Sequence, residues 1–252
     1  MRHLFHSWSH VLRRLRSRRL IALFLDFDGT LTPLRPRPED VWLDEATRST
    51  LSQLARSPRF RVWVISGRRR TDIRARIRVP GIRYLGLHGW EGRAGNCVPE
   101  ETRRVVSCAK SWIASLLLNT PGIWIEDKEV TFAIHYRSVS EKGVRAARQL
   151  LQGVLQAFEG LLHLVKGKKV WEVVPREIED KGVAVKQELS AIRREAVPVY
   201  IGDDRMDEPG FEACSSGVTV RVGRACRSKA RYRLSSVAQV HQFLENLGRE
   251  FA

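Results

Sequence analysis

Along this chain, short apolar runs of strand length alternate with longer segments whose apolar residues recur at helical spacing. That alternation predicts an α/β fold, a parallel sheet flanked by helices. The runs expected as strands are Ile21–Asp26, Arg61–Ser66, Tyr84–His88, Val197–Gly202 and Gly217–Val222. Three of them, Ile21–Asp26, Arg61–Ser66 and Val197–Gly202, end directly in polar residues or glycine. Open α/β sheets hold ligands beyond the carboxyl ends of their strands, so functional residues are expected at those ends. Between about Gly95 and Pro175 the pattern changes. Short runs at Ile123–Ile125, Val130–His135, Leu161–Val165 and Val170–Val174 bracket helical stretches near Arg103–Leu118 and Val139–Phe158. Turn residues at Asp127–Glu129 and Gly167–Lys169 separate these strands in pairs. An inserted α/β cap over residues 95–175 is expected, interrupting a discontinuous core made of residues 1–94 and 176–252.

Composition narrows the function classes. At 252 residues and 43% hydrophobic, the chain is long enough to bury a sizeable core. No apolar run approaches the roughly 20 residues of a membrane span, since Leu20–Leu25 stops at Asp26. A soluble, cytoplasmic protein with a short basic first helix and no membrane partner is therefore expected. A leader cleaved after that run would remove the acidic motif described below. The four cysteines, Cys97, Cys108, Cys214 and Cys226, have neither C-x-x-C spacing nor the density of a disulfide scaffold, and read as reduced structural residues. The net charge of +16 raises the question of nucleic acid. The arginines are spread over Arg13–Arg19, Arg68–Arg78 and Arg221–Arg233 without a nucleic-acid-binding signature, so a solvated basic surface and no nucleic-acid partner are expected.

The strongest chemical signal is Leu23-Phe24-Leu25-Asp26-Phe27-Asp28-Gly29-Thr30-Leu31-Thr32, a buried-type strand ending in two carboxylates one residue apart. Residues two apart on a continuing strand point the same way, so Asp26 and Asp28 can share a site. Two close carboxylates raise each other's pKa unless a cation or shared proton relieves them, and oxygen ligands suit Mg²⁺. This D-x-D-G-T segment resembles the nucleophile motif of the haloacid dehalogenase (HAD) superfamily, which implies a Rossmann-like core. The resemblance implies that Asp26 attacks phosphorus to form an aspartyl phosphate and contacts Mg²⁺. It implies that Asp28 protonates the leaving alkoxide and then activates water, and that Asp28 belongs with Asp26 and Asp203 to the metal site. Three further segments follow in the superfamily's order. In Val64-Ile65-Ser66-Gly67-Arg68, the Ser66 hydroxyl can bind a phosphoryl group, although a plain turn shows the same Ser-Gly pair. Lys181, in Asp180-Lys181-Gly182, resembles the superfamily's phosphate-binding lysine. In Val199-Tyr200-Ile201-Gly202-Asp203-Asp204-Arg205-Met206-Asp207-Glu208, Asp203 resembles a direct metal ligand, with Asp204 and Asp207 in support.

Over nearly its whole length the chain also resembles trehalose-6-phosphate phosphatases. The shared segments are Gly86-Leu87-His88-Gly89 with Glu91, Ile125-Glu126-Asp127-Lys128, Ile134-His135-Tyr136-Arg137 and Gly167-Lys168-Lys169-Val170-Trp171-Glu172-Val173-Val174-Pro175. This resemblance implies hydrolysis of trehalose 6-phosphate and a functional link to a trehalose-6-phosphate synthase. It implies that cap residues close over the sugar phosphate, with Lys128, His135 and Arg137 near phosphate or sugar and Glu126 and Glu172 accepting sugar hydroxyls. It places Gly67, Arg68, His88 and Gly89 at the substrate as well. His135 and Arg137 are expected on one face of the strand Val130–Arg137, an arrangement that a solvent-facing strand edge shares. His88 reads equally as a buried structural histidine, and Trp90 as packing. Met206 stands where the family usually has threonine. Sucrose phosphate, mannosyl-3-phosphoglycerate and glucosylglycerol phosphate remain alternative substrates, and a non-catalytic sugar-phosphate sensor is the alternative from another class.

Overall fold

A computed structural model describes residues 1–35, 37–92, 98–167, 169–192, 195–224 and 227–251. Cys97, Lys168 and Cys226 lie outside the described residues. In chain order the strands are β1 (Arg2–His3), β2 (Leu20–Leu25), β3 (Phe60–Ile65), β4 (Arg83–Leu85), β5 (Trp124–Asp127), β6 (Phe132–His135), β7 (Leu162–Gly167), β8 (Val170–Pro175), β9 (Ala196–Gly202), β10 (Val218–Val222) and β11 (Tyr232–Leu234). The helices are α1 (Trp8–Arg16), α2 (Glu45–Arg56), α3 (Arg70–Ile77), α4 (Glu100–Leu117), α5 (Glu141–Ala157), α6 (Lys181–Ala191), α7 (Glu208–Ala213) and α8 (Val237–Phe251). The chain divides into two compact units, Met1–Ala94 with Glu179–Ala252, and Gly95–Ile178.

In the first unit the described strands form one parallel sheet in the order β1-β11-β10-β9-β2-β3-β4. Strand β2 reads as an unbroken apolar run because both of its faces are covered. Ile21, Leu23 and Leu25 point into a core shared with Leu51 and Leu54 of α2 and Phe243 and Leu247 of α8. Ala22 and Phe24 point the other way, against Ala184 and Val185 of α6 and Phe211 of α7. Each of the larger apolar side chains among these, taken out of water on a central strand, contributes on the order of 2 kcal/mol. The chain crosses from β2 to β3 on one side and returns at β9 on the other. The order therefore reverses between β2 and β9, and the carboxyl ends of these two strands face the crevice where open α/β sheets bind ligands.

Helix α1 is basic along its last turn but buries Val11 and Leu15 in the same core as β2. Strands β1 and β11 were not expected from the hydrophobic pattern; they are two and three residues long, and each contains an exposed or half-buried arginine. The run expected as a strand to His88 stops at Leu85, because Leu87 and His88 adopt φ of 46° and 59° and turn the chain. The basic stretch Arg68–Arg78 is not simply a solvated surface, since Arg68 and Arg76 are buried and ion-paired. Among the described residues no helix is long and apolar enough to cross a membrane.

The second unit is an antiparallel sheet ordered β5-β6-β8-β7 with two helices. Phe132, Ile134, Trp171 and Val173 project from one face into a core completed by Ile113 and Leu117 of α4 and Leu151 and Val154 of α5. Strand alternation sends Trp124, Glu126, His135 and Glu172 to the other face. The register aligns Glu126, Ala133 and Glu172 in one row and Trp124 with His135 in the next. Strand β6 ends at His135, and Arg137 stands exposed in the following turn. The expectation that His135 and Arg137 share a strand face is therefore corrected: the pleat that would align them has already ended.

Candidate functional site

Asp26 is the first residue beyond β2, and its backbone N–H still donates to the Ile201 carbonyl of β9 at 3.0 Å. The chain then turns through Gly29 at φ +86°, where a Cβ would sit 2.4 Å from Asp203 Oδ2. Glycine is thus required for the conformation and for the approach of the acidic loop after β9. That loop carries Asp203 and Asp207, and carboxylate oxygens of Asp26, Asp203 and Asp207 all lie within 4.8 Å of one another. Asp180 caps α6 by accepting the N–H groups of Gly182 and Val183, which fixes Lys181 at the first helical position. From there Lys181 Nζ donates to Asp26 Oδ1 and to Asp207 Oδ1, each at 2.7 Å. The Tyr200 hydroxyl donates to the same Asp207 oxygen at 3.0 Å.

All four charged groups are buried, with Asp207 at 0% exposure and Lys181 at 4%. Three carboxylates face one ammonium, so the cluster is short of positive charge. Burial, joined by Asp207 and Asp203, pushes the Asp26 carboxyl well above its usual range even though Lys181 pulls it down. Burial works against the Lys181 ammonium, but Asp207 and Asp26 outweigh it and hold the group protonated. A buried all-oxygen donor set with this charge deficit fits a hard divalent cation.

The remaining predicted core residues are placed differently. Asp28 is outside the three-carboxylate group: Arg68 takes both of its oxygens, Nε to Oδ2 at 2.7 Å and Nη2 to Oδ1 at 2.8 Å. Arg68 is itself anchored by Asp72 at 2.9 Å and by the Pro38 carbonyl at 2.9 Å. Asp28, expected to share a site with Asp26, is held by an Arg68 fork that neutralises its carboxylate. Asp204 turns to its own loop, accepting the Arg205 N–H, while its backbone N–H donates to Asp207 Oδ2 at 2.9 Å. This capping box closes with Met206 between its two acids, so the acidic loop forms without the hydroxyl of a threonine. Ser66 is buried at the end of β3, its Oγ accepting the Arg68 N–H at 3.2 Å and its carbonyl accepting the His88 N–H at 2.9 Å. The segment Ser66-Gly67-Arg68 is therefore tied to the turn at His88. Gly89, at φ +102°, lets that turn lie on α6, since a Cβ there would meet Ala184 at 2.3 Å. Glu91, close by, accepts the Arg70 N–H at the start of α3 at 2.6 Å.

On the polar face of the second unit, the predicted acids and bases meet each other. His135 pairs with Glu126 at 2.8 Å and lies flat against Trp124, ring centroids 3.9 Å apart and 4° from parallel. Lys128 pairs with Glu172 at 2.9 Å, and Thr131 Oγ1 donates to the same Glu172 oxygen at 3.2 Å. Tyr200, Trp124 and Thr131 were missed as participants. The signal for Tyr200 was a phenol inside a strand buried on both faces, where its hydroxyl must find a partner. Trp124 and Thr131 had no local signal, because only the register between strands brings them to the charged pairs.

Residues 24–238 match the family model described as trehalose-phosphatase. A probable trehalose-phosphate phosphatase 4 of Oryza sativa subsp. japonica is 28% identical over 90% of this chain, which spans 65% of that relative's length. Among solved structures, the C-terminal domain of Candida albicans trehalose-6-phosphate phosphatase superposes with TM-score 0.81 at 21% identity, covering 96% of each chain. A haloacid dehalogenase-like hydrolase from Bacteroides thetaiotaomicron superposes with TM-score 0.64 at 18% identity, over 90% of this chain and 99% of its own. With the family model covering most of its length, and a carboxylate cluster at the point where its sheet order reverses, the chain belongs to the trehalose-phosphatase family, on a haloacid dehalogenase-like fold.

Proposed function

We propose that this protein is a Mg²⁺-dependent phosphoric monoester hydrolase that converts trehalose 6-phosphate to trehalose and inorganic phosphate through an aspartyl phosphate on Asp26. The observation that carries the reading is the contact of Lys181 with both Asp26 and Asp207 at 2.7 Å, inside a buried cluster that also holds Asp203. Family membership supports the substrate class.

In the first displacement, an oxygen of Asp26 forms a bond to phosphorus as the bond from phosphorus to the sugar O6 breaks. Asp28 gives the leaving oxygen its proton. In the second, Asp28 takes a proton from water, whose oxygen attacks phosphorus and releases Asp26 as a carboxylate. Lys181 orients Asp26 and offers its charge to the phosphoryl oxygens, and the Ser66 hydroxyl donates to the same group. Asp26, Asp203 and Asp207 would hold the cation, which when bound supplies charge neutralisation for the phosphoryl oxygens. Arg68 occupies both oxygens of Asp28, so acid–base work at Asp28 requires that fork to open on the side of the leaving group. Recognition of the sugar hydroxyls is assigned to Glu126, Glu172, His135, Lys128 and Arg137. A functional link to a trehalose-6-phosphate synthase follows from the substrate.

Phosphate release is measured with trehalose 6-phosphate, sucrose 6-phosphate, glucose 6-phosphate and glucosylglycerol phosphate, each with Mg²⁺ and with chelator. The reading requires metal-dependent turnover with trehalose 6-phosphate preferred. Preference for another sugar phosphate would overturn the substrate, and no turnover of any would favour a sensor.

A further inference from the structure

A concave site on the flank of α3 shares no lining residue with the carboxylate cluster. A groove of about 840 Å³ is lined by Arg70, Arg74, Arg78 and Arg83, with Tyr84 beside them. No acidic residue is among its described lining residues. All four arginines are exposed. Glu188 holds Arg83 at 2.8 Å. Arg78 donates from Nε to the Ala75 carbonyl at 2.8 Å, and its guanidinium lies 5.8 Å from the centroid of the Trp42 ring. Among the described residues, no carboxylate pairs with the side chain of Arg70, Arg74 or Arg78.

Two features set this groove apart from a scattered basic surface. Glu188 offsets the charge of Arg83, but Arg70, Arg74 and Arg78 line the same concavity without a described carboxylate on their side chains, and an entering anion relieves their mutual repulsion. Arg78 also ends α3 in the left-handed conformation, with φ 55° and ψ 37°. Glycine or asparagine usually takes that position, so an arginine there retains backbone strain at the edge of the groove.

We infer that this groove binds a small polyanion carrying at least two phosphate groups. A guanidinium fork matches phosphate oxygens two at a time, and two or more phosphate groups can engage the forks of Arg70, Arg74 and Arg78 together. The volume falls in the range of small-ligand sites, about 300–1,000 Å³. Without a divalent ion the three buried acids of the carboxylate cluster disfavour an anion, so leaving out such ions separates the groove from that cluster. The inference stands on the arginine groove alone and survives any outcome of the substrate panel.

The test titrates inorganic tripolyphosphate calorimetrically into the full chain at low salt without divalent ions. The groove predicts saturable binding that weakens with added salt, and affinity at least about tenfold lower in R74Q/R78Q, whose side chains are exposed and whose melting curve should match the parent. The single variant Arg74→Gln should lose at least about threefold and serves if the double variant is unstable. Absence of binding, or unchanged affinity in these variants, would overturn the inference. Tighter arginine-dependent binding of single-stranded oligouridylate than of tripolyphosphate would also overturn it, making the groove a nucleic-acid contact.

Discussion

The carboxylate cluster of the first unit and the polar sheet face of the second both pair acids with bases, but they differ in how firmly the groups are held. Asp26, Asp207 and Lys181 are almost wholly excluded from solvent, and Lys181 spans the two acids with short bonds. On the sheet face the Glu126 and His135 side chains keep 26% and 20% exposure, whereas the Lys128–Glu172 pair is nearly as buried as the cluster. Chemistry at phosphorus gains from charges fixed in a dry site, where no reorganisation is needed during reaction. Recognition of sugar hydroxyls works with groups that exchange partners as the ligand arrives, at modest energetic cost per hydrogen bond. Substitutions in the first region should therefore remove turnover, whereas those in the second should weaken binding.

The largest effect is expected at Asp26. Asp26→Asn should lower kcat by at least ~10³-fold while circular dichroism and phosphate-ester binding persist. Lys181→Ala leaves Asp26 and Asp207 buried without their cation, and should lower unfolding free energy in urea by about 3–5 kcal/mol. On the sheet face, Glu172→Gln should raise KM about tenfold with kcat within about threefold. If kcat falls as it does at Asp26, the contrast between the two regions is broken. A double-mutant cycle with Lys128→Met should return a coupling of about 1–3 kcal/mol for the pair. Tyr200→Phe removes one donor to Asp207 and should cost about 1 kcal/mol of stability, with a smaller kcat loss than at Asp26.

The smallest effect concerns the scaffold alone. Asp44 caps α2 through the Thr47 N–H at 2.8 Å and the Thr47 hydroxyl at 2.9 Å. Burial pushes its carboxyl up, but those hydrogen bonds outweigh it and hold the group below its usual value. Its folded pKa being depressed, the stabilisation is complete above the unfolded value and is lost as pH falls through the folded one. Asp44→Ala should cost about 1 kcal/mol at neutral pH, and the difference from the parent should shrink under acid conditions in urea titrations.

Strands β2 and β9 were legible as runs that both sheet faces bury, and β3 and β10 as mostly apolar segments interrupted only by Arg61 and by Thr219 and Arg221. The acids Asp26 and Asp203 were legible because those runs stop at them. What the sequence hid depends on contacts between distant segments. Arg68 and Asp28 are 40 residues apart, and no local pattern marks one as the partner of the other. The Trp124–His135 stack depends on the β5–β6 register, which the turn at Glu129 sets. Strands β1 and β11 are too short for alternation to register, and they exist because Tyr232 and Leu234 extend the core beside β10.

The central claim is that Asp26 carries the phosphoryl group during turnover. The most direct test is to quench the enzyme in acid during steady turnover of trehalose 6-phosphate with Mg²⁺, reduce with borohydride, and map the peptide containing residue 26. An acyl phosphate on Asp26 is reduced to homoserine, and the account predicts homoserine at that position only, in amounts that vanish without substrate. Intact aspartate at 26 under conditions where phosphate is being released, or homoserine at another position, would contradict it.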